Sequence, residues 1–385
     1  DVTVPRVGVL AAIPRAAALA TTGRTAEAIA VSERGYHEHV GLGDELAIAP
    51  AGTHVVNQTW ALVEAGRLSE AEALGRDWLE LAAKGRMPLG VTWFCIHLAR
   101  CALAQGRPAT ARQWGERACA TAEAWGFKGL RPMAHAVLAF AHGLLGNVAA
   151  SASSAAEIDS TQSGYGFLGP ELSLGRAWAL VAAGDLRAAR AVLLAAASDA
   201  EQTHHVPVAA WLLHDAVRVG AGRDEAVRLA ALATATDSAV VAAKAGHAIA
   251  LVDHDGPRLA AASDQLEATG ALLLAAEAAA AAADAYRRVH DQRQATVLSL
   301  RASQLSSQCE GASTPALRGG QTVVPLTTRE REVAMLAAAG HSSRVIAQRL
   351  YISVRTVENH LGRVYEKLGV SSRSALADAL EIGRP

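Results

Sequence analysis

The sequence has no apolar run that approaches the ~20 uncharged residues needed to span a membrane. Arg6 and Arg15 interrupt the apolar N-terminal stretch, which also lacks the basic start and continuous apolar core of a signal peptide. These absences predict a cytoplasmic protein with no membrane association. The chain begins at Asp1 rather than Met, which leaves room for a longer gene product of which this is a trimmed piece.

Cysteine is also scarce, and the four cysteines form neither a Cys-x-x-Cys pair nor a zinc-type spacing with histidine. We predict that Cys95, Cys101, Cys119 and Cys309 are reduced, buried thiols. The sequence lacks the Gly-x-x-x-x-Gly-Lys-Ser/Thr loop that holds nucleotide phosphates, and no nucleophile stands in an obvious pattern with a base. We therefore expect no enzymatic activity, no metal site and no cofactor.

Aromatic residues make up only 4% of the chain, whereas apolar residues reach 51%, with alanine in large excess. Because alanine has the highest helix propensity, this composition predicts an all-α protein. A turn of the form small–Gly–Arg/Asp/Asn recurs along the first three hundred residues. Clear copies are at Gly66, Gly106, Gly184 and Gly222, and weaker copies are at Gly23, Gly146, Gly256 and near Asp291.

A small residue follows most of these turns by four or five positions, where a second helix must pack closely on the first. These residues are Ala28, Ala71, Ala111, Ser151, Ala189, Ala226, Ala261 and Ala295. Glycine in the turn permits the left-handed conformation that ends a helix. One helix pair cannot bury its own apolar face, so the pairs are predicted to stack into an α-solenoid. The pattern resembles degenerate tetratricopeptide repeats.

The helical pattern lapses from about Gln308 to Val324 into glycine, serine and proline, which predicts a linker over residues 308–324. We therefore predict a repeat domain over residues 1–307 and a second domain over residues 325–385. All seven tryptophans fall in the repeat domain. They suit two roles, as large side chains packed between helices and as the wall of a groove for a ligand or peptide.

Four short helices are predicted after the linker. Thr327 and Glu330 have the spacing of a capping box, and Gly340 ends this first helix. Ser342 and Ser353 are predicted N-caps of the second and third helices. The third helix carries apolar residues at spacings of 4, 3 and 4, which fix one of its faces on the core and turn the other outward. Those apolar residues are Val357, Leu361, Val364 and Leu368.

The same segment contains a longer pattern. It reads Leu-Thr-x-Arg-Glu-x-Glu-Val from Leu326, Ile-Ala-x-x-Leu from Ile346, Ser-Val-Arg-Thr-Val-Glu-Asn-His-Leu from Ser353 and Lys-Leu-Gly-Val-x-Ser-Arg from Lys367. This pattern resembles the DNA-binding domain of LuxR/NarL-type regulators. The resemblance implies a helix-turn-helix whose third helix enters the major groove of double-stranded DNA. It also implies a homodimer on paired half-sites, formed by a fourth helix through Leu376 and Leu380.

The predicted DNA contacts lie on the outer face of the third helix and at the start of the second. They are Ser342, Arg344, Ser353, Arg355, Thr356, Glu358, Asn359, Gly362, Arg363 and Lys367. Arginine, lysine and threonine suit phosphates, whereas Glu358 and Asn359 suit base edges. Glu358 departs from the often basic residue of the family, and it either contacts a base or neutralises Arg355. Gly362 costs the helix about 1 kcal/mol relative to alanine, and either close approach to DNA or mere tolerance accounts for it.

Charge is distributed unevenly along the chain. Residues 326–385 carry nine Lys/Arg and six Asp/Glu, a net charge of +3, whereas the rest of the chain has a net charge of −4. A basic C-terminal end favours a polyanionic partner there.

Two functions of different class fit the whole sequence. The first is a DNA-binding transcription regulator whose repeat domain receives a signal, either a small molecule or a protein, and controls the helix-turn-helix. In this respect the chain resembles the large ATP-binding LuxR-family regulators of the MalT-like group, without their ATPase. Either that module precedes this segment or this branch lacks one. The second function is a protein-interaction scaffold with a vestigial DNA-binding domain.

Overall fold

A computed structural model describes residues 3–42, 49–160, 169–320, 326–368 and 376, with the side chains of residues 3–6, 319–320 and 366–368 left out. Within these ranges there are twenty α-helices, one short 3-10 helix and no strand, which confirms the all-α prediction. No helix of the described ranges is both long and apolar enough to cross a bilayer. The chain forms two compact units, residues 1–317 and 318–385.

Eight antiparallel helix pairs build the first unit, and a short helix follows them. The pairs are α1 (Thr3–Thr21) with α2 (Thr25–Gly41), α3 (Gly52–Ala65) with α4 (Leu68–Lys84), α5 (Pro88–Gln105) with α6 (Pro108–Ala124), α7 (Arg131–Leu144) with α8 (Val148–Asp159), α9 (Gly169–Ala182) with α10 (Leu186–Gln202), α11 (Val206–Arg218) with α12 (Arg223–Ala233), α13 (Ala239–Asp253) with α14 (Gly256–Ala268), and α15 (Leu272–Arg288) with α16 (Gln292–Ser306); the short helix is α17 (Pro315–Gly320). Each of the sixteen paired helices packs on its neighbours in sequence, as the predicted solenoid requires.

A residue in the left-handed conformation joins the two helices of every pair. Glycine takes this position in pairs one to five, as predicted. In pair six it is Gly220, and Gly222 is instead the N-cap of α12. In pairs seven and eight it is His254 and His290, with φ of +52° and +61°. Glycine therefore marks most of these turns but not all, because the surrounding helices can impose the same conformation on another residue.

The small residues after the turns form the contact line between paired helices. Seven of the eight predicted positions are 0 to 2% exposed, including Ser151. The Ser151 hydroxyl donates to the Ala139 carbonyl at 2.6 Å, so its polar atom is satisfied within the helix interface. The prediction is wrong at Ala261, which is exposed. Since His254 and not Gly256 is the left-handed residue, the inward position five residues on falls at Leu259, which is 1% exposed.

Three early turns of the first unit also contact parts of the chain that lie about five helix pairs later in the sequence. The Gly23 carbonyl accepts from Thr236 Oγ1 at 2.7 Å. A Cβ on Gly66 would lie 2.9 Å from Val240 Cβ at the start of α13, and a Cβ on Gly106 would lie 2.6 Å from Leu273 Cβ at the start of α15. Glycine at both turns thus permits a close approach as well as a left-handed backbone.

Two carboxylates connect distant helix pairs, because each accepts hydrogen bonds from the first turn of a helix that has no side-chain cap of its own. Asp237 accepts from the backbone N–H and the hydroxyl of Thr25 at 2.8 and 2.6 Å, at the start of α2. Glu310 accepts from the same two groups of Thr110, at 2.8 and 2.6 Å, at the start of α6. Each supplies an acceptor that the helix itself cannot provide to its first turn.

The segment that sequence composition assigned to the start of the linker is part of the first unit. Cys309 is fully buried, and Leu317 is 8% exposed in the same apolar core. The Ser313 N–H donates to the Leu144 carbonyl at 2.7 Å. Glycine, serine and proline here build a capping segment for the last pair, and the compact units divide at residue 317. The rest of the predicted linker includes residues 321–325, which lie outside the described ranges.

Candidate nucleic-acid interface

The described part of the second unit contains three α-helices. They are α18 (Thr328–Ala338), α19 (Ser343–Leu350) and α20 (Val354–Leu368). At the start of α18, Thr327 Oγ1 accepts from the Glu330 N–H at 3.2 Å, and Glu330 Oε2 accepts from the Thr327 N–H at 2.8 Å. The predicted capping box is therefore confirmed. Gly340, with φ of +83°, follows the helix end as predicted.

A tight turn joins α19 to α20. Ser342 and Ser353 cap the two helices, accepting from Val345 N at 3.4 Å and from Thr356 N at 3.1 Å, as predicted. Tyr351 ends α19 in the left-handed conformation with φ of +54°. The turn sets the direction in which α20 leaves α19, which is the geometry of a helix-turn-helix.

One face of α20 is fixed on the core of this unit. Val357 and Val364 are fully buried, and Leu361 is 5% exposed. They pack against Val333 of α18 and Ile346 of α19, among other apolar residues. The predicted inner face is therefore confirmed for these three positions, and the side chain of Leu368 lies outside the described residues.

The opposite face of α20 is open to solvent, together with the start of α19. The predicted contacts exposed there are Ser342, Arg344, Ser353, Arg355, Glu358, Asn359, Gly362 and Arg363, and Thr356 is half-buried. All nine have some accessible surface, on α20 and at the start of α19. Lys367 lies on α20, but its side chain is outside the described residues.

Three arginines of this surface have no carboxylate partner among the side chains that the structure describes. Arg344, Arg355 and Arg363 form no ion pair with any carboxylate of the described ranges. In particular, Glu358 does not pair with Arg355, so of the two roles foreseen for Glu358 the intramolecular one is not seen. The first amides of α20 add a partial positive charge at its N-terminus, which attracts anions. This combination suits a phosphate backbone.

Gly362 lies in the middle of the exposed face of α20. A Cβ built on it would meet no atom within 4 Å, so the fold of the unit gives no steric reason for glycine. Either a partner outside the unit requires glycine at this position, or the helix tolerates the small penalty that glycine carries.

Sequence analysis missed two exposed residues next to this face. Arg349 Nη1 lies 3.1 Å from His341 Nε2 on the surface of α19, and Tyr351 is 95% exposed in the turn. Arg349 could have been found from its positive charge and its position on the same helix as Arg344, about one and a half helical turns later. A tyrosine beside a predicted turn gave no such signal, because its exposure depends on the left-handed backbone.

The dimer prediction requires a correction. Leu376 is fully buried in the core of this unit, with Val333 and Leu361, so it offers no surface to a second copy. A Leu-x-x-x-Leu spacing indicates an apolar stripe but does not say which surface the stripe covers. Leu380, the second predicted dimer residue, lies outside the described residues.

Comparison with known proteins finds relatives of this second unit. Residues 324–380 match the family model described as bacterial regulatory proteins, luxR family. A putative HTH-type transcriptional regulator of Mycobacterium bovis is 51% identical over 53 residues, 14% of this chain and 6% of the relative. A probable transcriptional regulatory protein NarL of Mycobacterium tuberculosis is 50% identical over 56 residues, 14% of this chain and 26% of the relative.

A shorter relative is matched over most of its length. The spore germination protein GerE of Bacillus subtilis is 44% identical over 59 residues, which are 15% of this chain and 80% of GerE. The first unit aligns with a Rap protein crystallised with competence and sporulation factor, at a TM-score of 0.49 and 11% identity over 78% of this chain and 98% of that one. The chain spans only 6% of the length of the mycobacterial regulator. Through residues 324–380, the chain belongs to the luxR family of bacterial regulatory proteins.

Proposed function

We propose that this protein is a sequence-specific DNA-binding transcription regulator whose repeat unit receives a signal and controls the helix-turn-helix. The observation that carries the proposal is the exposed face of α20, where Arg355 and Arg363 have no carboxylate partner in the described ranges. The chain then acts by binding and not by catalysis. Its signal is a small molecule or a protein, and its site of action is the cytoplasm.

In this proposal α20 lies in the major groove of double-stranded DNA. Arg344, Arg355, Arg363 and the Thr356 hydroxyl contact phosphates and position the helix. Asn359 reads a base edge, since an amide can pair with adenine N6 and N7. Glu358, free of Arg355, accepts from cytosine N4. Two copies bind paired half-sites as a homodimer, through a surface that does not include Leu376.

Selection of bound fragments from random double-stranded DNA with the full chain tests the proposal first. Paired copies of one motif are the expected result, and their spacing gives the geometry of the dimer. Failure to enrich any motif would count against sequence-specific recognition.

Binding to the selected site is then measured against salt concentration. Each lost phosphate contact lowers the slope of log K against log salt by about 0.9, so Arg355→Ala and Arg363→Ala should each reduce the slope by that amount. Arg293→Ala removes an exposed positive charge from the first unit and is the matched control. Unchanged affinity and slope in both α20 variants would favour the alternative, a protein-interaction scaffold with a vestigial DNA-binding domain.

The base-reading role of Asn359 has a separate test. Asn359→Ala should weaken binding to the selected site by about 1–3 kcal/mol and relax the preference at one base position. An equal loss on selected and random DNA would assign Asn359 to the phosphate contacts instead.

A further inference from the structure

In the described part of the first unit, mostly apolar side chains line a large cavity, which we call the aromatic pocket after its five aromatic side chains. Its volume is about 930 Å³. Its aromatic lining comprises Tyr36, Trp60, Trp78, Trp93 and Phe94, from helices α2 to α5. A volume of this order and a mostly apolar lining are typical of sites for drug-sized ligands. Three of the seven tryptophans thus line a cavity, one of the two roles that the sequence left open.

The aromatic side chains of the pocket are held in place by one another. The rings of Tyr36 and Trp78 meet edge to face, with centroids 5.2 Å apart. The Trp93 ring stacks on the imidazole of His97 at 5.7 Å and an interplanar angle of 14°. Trp60 Nε1 donates to Glu64 Oε1 at 3.0 Å. Rings positioned in this way form a wall whose shape exists before any ligand enters.

Apolar side chains surround the mouth of the pocket. Val40, Met87 and Leu89 line the cavity and are 55, 41 and 43% exposed. Leaving such side chains in water is unfavourable, and an apolar ligand would cover them.

Three residues give the pocket lining a polar part: His97, Arg100 and Glu171. Together with Glu64, which pairs with Arg100 but is not part of the lining, we call them the Arg100 cluster. The Arg100 guanidinium donates to Glu64 Oε1 at 2.6 Å and to Glu171 Oε1. Arg100, Glu64 and His97 are 5, 2 and 2% exposed. Burial raises the pKa of Glu171, and the positive charge of Arg100 opposes this shift. With Glu64 and Glu171 ionised and His97 neutral, the cluster carries one excess negative charge. Burial holds the pKa of His97 well below its usual range, next to the positive charge of Arg100.

The hydrogen bonds of the cluster fix the tautomer of His97. Arg100 Nη1 lies 3.4 Å from His97 Nδ1, and since a guanidinium can only donate, Nδ1 accepts. The proton of the neutral ring is therefore on Nε2. His97 Nε2 and Glu171 Oε2 are both buried and have no partner among the described residues, and both residues line the pocket. The lining thus offers one unused donor and one unused acceptor. Glu64 Oε2 of the Arg100 cluster is also buried without a partner, but Glu64 is not part of the lining.

We infer that the aromatic pocket binds a neutral, largely apolar small molecule that carries a hydroxyl or amide group. Such a group accepts from His97 Nε2 and donates to Glu171 Oε2, and the apolar body of the molecule lies against the tryptophans. Satisfying both buried polar atoms removes the penalty of leaving them unpaired. A carboxylate in the same place would face the excess negative charge of the Arg100 cluster in a poorly solvated site, so anionic ligands are disfavoured. Binding of this molecule does not depend on the proposed function; its role as the signal does.

A displacement assay with the full chain tests the inference. The neutral dye N-phenyl-1-naphthylamine reports occupancy by its increased emission, and saturable binding is expected. Two competitors with one skeleton, biphenyl-4-methanol and biphenyl-4-carboxylate, are compared at pH 8. The alcohol should displace the dye at a concentration at least tenfold lower than the carboxylate. Absence of saturable dye binding, or equal or better competition by the carboxylate, would overturn the inference.

The position of the ligand is tested by filling the pocket. Ala18 of α1 is exposed and lines the cavity, so Ala18→Phe should weaken dye binding at least tenfold. Ala11 is also exposed, lies two turns earlier on α1 and is not part of the lining, which makes Ala11→Phe the matched control. Equal effects of the two variants, with far-UV circular dichroism unchanged, would place the dye elsewhere.

The charge preference is tested at Glu171. Glu171→Gln removes the excess negative charge and should reduce the difference between the alcohol and the carboxylate to less than threefold. Glu277→Gln is the control, because Glu277 is also a buried carboxylate paired with an arginine, Arg218, away from this pocket. A full difference retained in Glu171→Gln would contradict the role of the Arg100 cluster. These assays contain no DNA, so their failure and failure of the DNA-binding experiments are independent results.

Discussion

Gly106 and Leu273 stand so close that a Cβ on the glycine would lie 2.6 Å from Leu273 Cβ and 2.8 Å from its backbone nitrogen. One residue belongs to the third helix pair and the other to the eighth, so this contact joins segments five pairs apart. Gly184, in the fifth pair, has nearly the same backbone, with φ of +84° against +80°, but a Cβ there would meet nothing within 4 Å.

This difference gives a matched pair of substitutions. Gly184→Ala should cost about 1–2 kcal/mol, the penalty of a left-handed alanine. Gly106→Ala should cost that amount and a further 1–3 kcal/mol for overpacking against Leu273. Urea unfolding of the full chain, followed by circular dichroism, measures both. Equal losses in the two variants would show that the third and eighth pairs can accommodate a methyl group at Gly106 without overpacking.

The capping box of α18 has its own pair of substitutions. Thr327→Ala removes the side-chain acceptor for the Glu330 N–H and should destabilise α18 by about 1 kcal/mol. Thr328→Ala changes an exposed residue of the first turn and is the control. Hydrogen exchange of the α18 amides, measured by mass spectrometry, reports the local opening free energy. The cap would have no energetic role if both variants exchanged at the same rate.

Gly362 allows stability and DNA affinity to be separated. Gly362→Ala should stabilise the helix by about 1 kcal/mol, because alanine has the higher helix propensity and its methyl group meets no neighbour. If the DNA backbone approaches α20 at this point, the same variant should bind the selected site less tightly. Gly8→Ala is the control, since Gly8 is an exposed helical glycine of α1 with equally open space. Unreduced affinity in Gly362→Ala would mean that the glycine is merely tolerated.

Acid should destabilise the first unit through a buried histidine pair. His214 Nε2 lies 3.0 Å from His247 Nδ1, and both residues are almost fully buried. Burial lowers the pKa of His247 from 6.5 to about 4 and holds the pKa of His214 well below 6.5, with the neighbouring His247 contributing. Between pH 6.5 and about 4 the unfolded chain therefore binds protons that the folded chain does not, so stability falls as the pH falls.

The size of this effect is measurable as a slope. Each such histidine contributes about 1.4 kcal/mol per pH unit to the free energy of unfolding. His214→Gln should lower the slope by up to that amount, whereas His37→Gln, on an exposed residue, is the control. Denaturant titrations of the wild type and the two variants at pH 7, 6 and 5 give, for each protein, the slope of the unfolding free energy against pH. Identical slopes in the wild type and His214→Gln would refute the link between this pair and acid stability.

Local chemistry let the sequence predict the helices of the second unit. Thr327, Ser342 and Ser353 are caps in the structure because a side-chain oxygen at an N-cap satisfies an amide only two or three residues away. The inner face of α20 followed from the spacing of its apolar residues for the same reason. Leu376 was misassigned because an apolar stripe has the same pattern whether it covers the core of its own domain or a partner.

Contacts between distant segments could not be predicted in this way. Arg100 pairs with carboxylates 36 and 71 residues away, and the aromatic pocket takes its lining from several helix pairs. The tryptophans in the repeat sequence do not indicate which of them lie close together in the fold, or which other residues they contact. His254 and His290 show the same limit at a smaller scale, because a left-handed histidine depends on how the adjoining helices pack.

Asp237 and Glu310 hold helix starts that precede them by about two hundred residues. A ribosome adds roughly 5–20 residues each second, so α2 and α6 emerge about 10–40 s before the carboxylates that cap them are made. Nascent early pairs therefore spend this interval without their later contacts, with amides and apolar surface still in water. A premature stop before residue 237 would release a fragment locked in that state, which makes it a natural client for chaperones and proteases.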